Sequence, residues 1–283
     1  MGVDRDFNLA VELARGKYCW LMPDDDVLKP GAISLVLDEI RHHYGLIIVN
    51  KEVRNADLSK VIDGKRIQIS VNRIYEPTDN QRLMAEVGRY LSYIGCVVIK
   101  RRIWETREKE KYFGTDHIHV GIIFQSPLTE KVLVIAEPLI SFRYGNALWM
   151  AKSFEIWMFK WPNLIWSFPD YLDWAKQSVC PREPWRKMRT LMNYRALGCY
   201  SLKEYHLWLE PRLGSMLERF AAKAIAQLPP CVINFLGIIY LFVFRSRSNL
   251  PAWDLKNSPF YYLNRLRSFY RRMAIIFKPS TVG

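Results

Sequence analysis

Asp24, Asp25 and Asp26 stand in a row behind an apolar run, inside the segment GKYCWLMPDDDVLKPGAI from Gly16 to Ile33. In an extended chain alternate side chains share a face. That spacing predicts that Asp24 and Asp26 converge while Asp25 points the other way. Converging carboxylates repel, and a divalent cation with hard oxygen ligands relieves the repulsion. Mg2+ or Mn2+ in such a place would keep coordination positions open for diphosphate oxygens. The competing reading is an ordinary acidic turn completed by Lys29-Pro30-Gly31, with an aspartate capping the helix that follows.

The elements that must position these carboxylates are legible in the pattern around them. From Met1 to about Ala147, short apolar runs (YCWLM, GLIIVN, GCVVIK, KVLVIAEPLISF) alternate with stretches that suit helices. This alternation reads as an α/β sheet with connecting helices. A first helix is predicted over Phe7 to Arg15, with Phe7, Ala10, Val11 and Ala14 on one face and Gly16 as its stop. A strand from Lys17 to Leu21 follows, which puts the aspartates just past its carboxyl end, where ligands bind in open α/β sheets. Beyond Trp149 the strand pattern ends, tryptophans crowd together and apolar runs take helical length. The expected organisation is an α/β core over 1–150 and a mainly α-helical, basic region over 151–283.

Length and composition bound the setting. The chain has 283 residues, 50% of them hydrophobic and 14% aromatic, enough to bury a sizeable core. The formal net charge of +13 argues for an anionic partner: nucleic acid, an acidic membrane surface or phosphate-bearing small molecules. Cys19, Cys96, Cys180, Cys199 and Cys231 are odd in number and scattered, so neither a disulfide framework nor a zinc site is indicated, and a reducing, cytosolic setting is expected. The N-terminus has no charged-then-apolar leader of the signal-peptide type. Cys231 to Phe244 is an uncharged apolar run, shorter than the roughly twenty residues a spanning helix needs. The tail after it interleaves Arg265, Arg267, Arg271, Arg272 and Lys278 with Phe269, Tyr270, Ile275, Ile276 and Phe277, the pattern of a segment lying on an anionic membrane face. No nucleic-acid-binding motif is present, so no nucleic-acid partner is expected.

The segment DRDFNLAVELARGKYCWLMPDDDVLKPGAI resembles the central part of family-2 glycosyltransferases of GT-A fold. Asn8, Ala14-Arg15-Gly16-Lys17-Tyr18, Trp20-Leu21, Asp24-Asp25-Asp26 and Leu28-Lys29-Pro30-Gly31 match that family's motifs in order and spacing. The three aspartates together with LISFRYGNALW resemble its abequosyltransferase-like branch, and the resemblance covers roughly Gly2 to Trp149. It implies a Rossmann-like mixed sheet, a nucleotide-sugar donor, a saccharide or lipid-linked saccharide acceptor of surface-polysaccharide synthesis, and a place at the cytosolic face of the membrane. It also implies roles for residues. Asp24 and Asp26 would bind the divalent cation. Asp4, Arg5, Asn8 and Asp25 would face the donor, Arg143 its diphosphate, and Trp149 would stack on an acceptor sugar. Within YFGTDHIHVGIIF, Tyr112 to Phe124, Asp116 takes the place of the catalytic carboxylate. His119, one helical turn on, would share the proton or touch acceptor.

Two departures from the family pattern enter the expectation. Pro23 stands where the commoner D-x-D-D cluster has its first aspartate. The strand, turn and helix that hold the nucleotide base in this family have no counterpart before the acidic cluster, which predicts a core lacking its N-terminal nucleotide-binding strands. The expected reaction is a single displacement with inversion. The alternative reading is a non-catalytic, basic membrane- or nucleic-acid-binding protein built on a decayed transferase core.

Overall fold

The computed structural model describes residues 2–145, 152–244 and 249–261. The chain divides into two compact units, one of residues 1–148 and 155–184, the other of 149–154 and 185–283. The helices of 155–184 thus belong with the α/β unit, whereas the change in composition near Trp149 assigned them to the helical region. Their large apolar residues explain the difference: Trp161, Leu164, Ile165, Phe168 and Tyr171 are buried in the same core as the sheet.

The α/β unit opens with α1 (Val3–Leu13), β1 (Tyr18–Trp20), β2 (Val27–Leu28), α2 (Ala32–Ile40) and β3 (Leu46–Arg54). β4 (Val61–Asp63), β5 (Arg73–Tyr75), α3 (Asn80–Val87), β6 (Val97–Lys100) and α4 (Arg101–Thr106) come next, then α5 (Ile118–Phe124) and β7 (Val132–Arg143). One mixed sheet runs in the order β1, β6, β3, β7, β2, with β4 added to β3 and β5 to β7. β3 and β7 are parallel and the other pairs antiparallel. Leu46, Ile47, Ile48 and Val49 of β3 are wholly buried, as expected of a central strand covered on both faces. Pairing of β3 with β7 slips at Asn50, and the buried Asn50 side chain satisfies the irregularity. It donates to the carbonyls of Ile67 and Ala136 and accepts from the amides of Ile67 and Lys51. This mixed α/β architecture is compatible with a Rossmann-like glycosyltransferase core.

α1 begins and ends earlier than expected, at Val3 and Leu13 rather than Phe7 and Arg15. Asp4, Asn8 and Val11 are its buried residues, while Phe7, Ala10 and Ala14 line a groove of about 550 Å³ against Tyr18 to Met22. Among the described strands, nothing pairs with the outer edge of β1.

Further along, α6 (Ser153–Glu155) leads through a π turn, Ile156–Lys160, into α7 (Trp161–Trp166), and α8 (Asp173–Val179) completes this part. The second unit holds α9 (Met188–Leu197), α10 (Leu202–Glu204), α11 (Met216–Gln227), α12 (Pro230–Phe244) and α13 (Asn249–Asn257). Ala196, Ile233 and Leu255 form a small core there, joined by Leu197, Ile238 and Leu241. The basic tail from Arg265 to Lys278 lies outside the described residues.

Candidate active site

The acidic cluster is a turn. Past Trp20 the Leu21 amide still reaches the Val97 carbonyl at 3.1 Å, but Asp24 and Asp25 form a tight turn and the chain becomes a strand again only at Val27. Alternation along an extended chain therefore does not set the directions of Asp24 and Asp26. Nor does an aspartate cap the next helix: the capping position before α2 is Gly31, whose φ of 80° is the left-handed conformation that glycine adopts freely.

The three carboxylates divide the work. Asp24 and Asp25 are exposed, while Asp26 is half-buried and fastened from two sides. Tyr93 Oη donates to Asp26 Oδ2 at 2.5 Å, and the Arg143 amide donates to Asp26 Oδ1 at 2.7 Å. Arg143 Nε donates to the Asp25 carbonyl at 2.8 Å, and its guanidinium also reaches the Ala56 carbonyl. Arg143, at the end of β7, is thus a strut for the turn. Burial raises the Asp26 carboxyl above its ordinary pKa and outweighs the lowering effect of these two hydrogen bonds.

A residue that the motif reading passed over lies next to this anchor. Lys51 Nζ stands 3.4 Å from the centroid of the Tyr93 ring and 3.9 Å from that of Phe142, between two aromatic faces. Enclosure of the ammonium pulls its pKa down to about 7, with Arg66 lowering it further and Cys96 and Asp26 opposing. The signal is the polar triplet Asn50-Lys51-Glu52 interrupting the apolar run from Leu46 to Val53, just where the slip at Asn50 changes which side chains face inward.

The second group gathers at the start of α5. Asp4, only 3% exposed, accepts three backbone N–H groups: Gly114 at 2.8 Å and Asp116 at 2.9 Å on Oδ2, and Ile118 at 2.9 Å on Oδ1. A carboxylate so satisfied can be buried. Asn8 beside it donates to Glu12 Oε1 at 2.7 Å and accepts from Trp104 Nε1 at 3.0 Å. Asp4 and Asn8, expected at the donor, have their polar atoms committed to the scaffold. Arg5 is exposed, its guanidinium 4.6 Å from the centre of the Phe113 ring.

Asp116 itself adopts φ 64°, a left-handed conformation that aspartate tolerates better than most residues. Its carboxylate accepts from Lys160 Nζ at 2.7 Å, with its side chain 30% exposed. Lys160 closes the π turn, a feature frequent at functional sites. The floor is tightly packed. Every residue of α5 is buried, and at Gly121 a Cβ would fall 2.3 Å from Tyr112 Cγ, so only glycine lets that ring approach.

His119 belongs to this floor. It is 2% exposed, and its Nε2 contacts the Leu91 carbonyl at 2.6 Å, which assigns the proton to Nε2 as donor. Burial and the neighbouring His117 pull its pKa down to about 3. A ring held neutral and shut away from solvent does not share a proton with Asp116. His117 is also buried, packed by Trp161 and Trp157, and burial lowers its pKa. Trp149, expected on the acceptor, lies outside the described residues.

The structure therefore joins Asp25, Asp26 and Arg143 in one group and Asp4 and Asp116 in another. Among the described residues no three His, Cys, Asp or Glu side chains come together to hold a metal. Exposed aspartate oxygens on a fixed turn nonetheless suit Mg2+ or Mn2+, ions commonly bound through one or two carboxylates plus substrate phosphates.

No family model matches the chain. It is 24% identical over 157 residues to abequosyltransferase RfbV of Salmonella typhimurium (strain LT2), an alignment covering 52% of this chain and 47% of that protein. The chain spans about half the length of the curated relative it matches, and at a coarse level the similarity supports a relationship to glycosyltransferases.

Proposed function

We propose that this protein transfers a sugar from a nucleotide-sugar donor to a hydroxyl of a saccharide or lipid-linked saccharide during surface-polysaccharide synthesis. It does so on a family-2, GT-A-type core at the cytosolic face of a membrane. The observation that carries this reading is the acid turn, in which Tyr93 and Arg143 fix Asp26 while Asp24 and Asp25 remain exposed beyond β1. Similarity to a known abequosyltransferase supports it.

Asp24 and Asp25 offer their exposed carboxylates to a divalent cation in this scheme, with Asp26 as their anchor. Bound there, the ion would offset charge on the donor diphosphate. Asp116 is the base. In an inverting displacement the acceptor hydroxyl attacks the anomeric carbon, the bond from that carbon to the diphosphate oxygen breaks, and the hydroxyl proton passes to Asp116. Lys160 holds that carboxylate in place before the step, 2.7 Å from its Oδ2, and the proton transfer weakens their ion pair. The nucleoside diphosphate leaves with the bonding electrons.

The test supplies purified protein and Mn2+ with a panel of labelled nucleotide-sugars and a membrane lipid extract as acceptor. Labelled glycolipid should form, chelation should stop it, and Asp116→Asn should slow it by about 10²-fold to 10⁴-fold. Donor binding without transfer by any member of the panel would favour the non-catalytic reading.

A further inference from the structure

The helical unit carries a large apolar surface independent of the sugar-transfer reading. α12 has two unlike faces. On one, Ile233 and the fully buried Asn234 pack inward, and Asn234 Nδ2 donates to the Ala196 carbonyl at 3.2 Å and the Leu255 carbonyl at 2.9 Å, fastening α12 to α9 and α13. The other leaves Val232, Phe235, Leu236, Ile239, Phe242 and Val243 exposed, Phe242 by 88%. The preceding helix adds to this. Met216, Leu217 and Phe220 of α11 are exposed by 87%, 77% and 74%, and α11 meets α12 at a bend of 97°.

Isolated exposed apolar residues are normal, but side chains this large and this dense along two consecutive helices mark an interaction surface. Charge around it selects the partner. Arg189 of α9 stands 5.2 Å from the ring of Tyr240 on α12, and α11 carries Arg219 and Lys223. The acidic residue of α11, Glu218, is paired with Arg186 at 3.0 Å, and α12 has no charged residue at all. Apolar faces with aromatic residues and cations beside them suit the boundary between acyl chains and anionic headgroups. Among the described residues no single helix is long and apolar enough to span a membrane; α11 and α12 reach that length and hydropathy only as a pair, bent by 97°.

We propose that α11 and α12 form a bent wedge that inserts its exposed apolar faces into one leaflet of an anionic phospholipid bilayer. Asn234 and the α9 and α13 contacts hold the wedge from behind, so insertion needs no unfolding of the unit.

Flotation of the full chain with phosphatidylglycerol-containing vesicles tests this, beside vesicles of phosphatidylcholine alone. The protein should float with the anionic vesicles, more weakly with the neutral ones, and at least tenfold more weakly as the Phe220→Glu/Phe242→Glu double variant. Both phenylalanines are so exposed that the variant should keep the far-ultraviolet circular dichroism of the parent. Equal flotation of parent and double variant, or no flotation of the parent, overturns the proposal. Sedimentation velocity in the absence of lipid separates the other occupant of such a face, a second copy of the chain. A stable dimer that the double variant dissociates, without vesicle binding by the parent, would assign the surface to self-association instead.

Discussion

Asp4 accepts the backbone N–H of Asp116 at 2.9 Å, a hydrogen bond across 112 positions of sequence between the first helix and the candidate base. With the amides of Gly114 and Ile118 on the same carboxylate, a left-handed residue is held in place by a buried anion. Local strain of this kind persists where surrounding contacts over-determine it.

Removing that anion should loosen the loop before anything else. Asp4→Ala removes the acceptor of three N–H groups, of which the one at Ile118 is buried and costs about 1–3 kcal/mol unless water enters. The expected result is a stability loss of at least about 2 kcal/mol in urea unfolding. Amides 114, 116 and 118 should also exchange with deuterium markedly faster than in the parent. Unaltered exchange at those three amides would show that Asp4 does not order the loop.

Asp116 and Lys160 should part in their effects. Asparagine tolerates the left-handed conformation as aspartate does, so Asp116→Asn should fold with a thermal midpoint close to the parent's while losing the base. Lys160→Met should leave donor affinity unchanged and lower turnover, because the carboxylate loses the ion pair that holds it in place. Turnover equal to the parent's would show that Lys160 does not position the base.

The anchoring role of Asp26 predicts a different pattern from that of an exposed metal ligand. In Asp26→Asn the amide oxygen can still accept from the Arg143 N–H, and the amide nitrogen can donate to Tyr93 Oη, so the turn keeps its shape. The raised pKa gives the sign of the stability effect. Below the unfolded pKa the protonated native carboxyl carries no penalty, whereas above its folded pKa the native state bears the cost of the buried charge. Asp26→Asn should therefore equal or exceed the parent in thermal midpoint at pH 7, and fall to or below it near pH 3. A large loss at pH 7 would mean that the charge itself, rather than the hydrogen bonds, holds the turn. Asp24→Asn and Asp25→Asn should weaken Mn2+ binding by titration calorimetry.

How much of this was legible in the sequence follows from where each signal lives. Runs such as GLIIVN and KVLVIAEPLISF announce β3 and β7 because a strand covered on both faces is apolar throughout. The acidic cluster announced itself by its place after β1, but its geometry did not, since the Asp24–Asp25 turn replaces the extended chain that alternation assumes. Asp4 and Asn8 are read as donor ligands because the family resemblance places them in the stretch that faces the sugar-nucleotide. The partners that draw them inward are the amides of 114–118 and the Trp104 indole, about a hundred residues away. His119 shows the same limit: its helical spacing from Asp116 was visible, but the Leu91 carbonyl that claims its Nε2 was not. Lys51 was recoverable from its position in an apolar run, although Tyr93 and Phe142 reach it only through the fold.

Lys51 gives the last prediction. In the unfolded chain its ammonium titrates near the ordinary lysine value of 10.5, while in the native protein burial brings it to about 7. Between those values the unfolded state binds more protons, so the contribution of Lys51 to stability rises with pH across that window and is least favourable below it. Cys96 is pushed up to about 12 and Tyr93 is raised by burial and by the Asp26 charge, so neither of these neighbours ionises in the lower part of the window. Lys51→Met removes the titrating group and keeps an unbranched side chain between the two rings. The variant should gain stability over the parent most at pH 6, with the gap closing steadily towards pH 10. Loss of the cation–π contact offsets part of the gain at low pH, because only the protonated lysine makes it. The change in the gap with pH is therefore the decisive reading. Thermal midpoints of parent and variant through that range measure it, and a gap independent of pH would place the Lys51 ammonium in contact with water rather than shut between Tyr93 and Phe142.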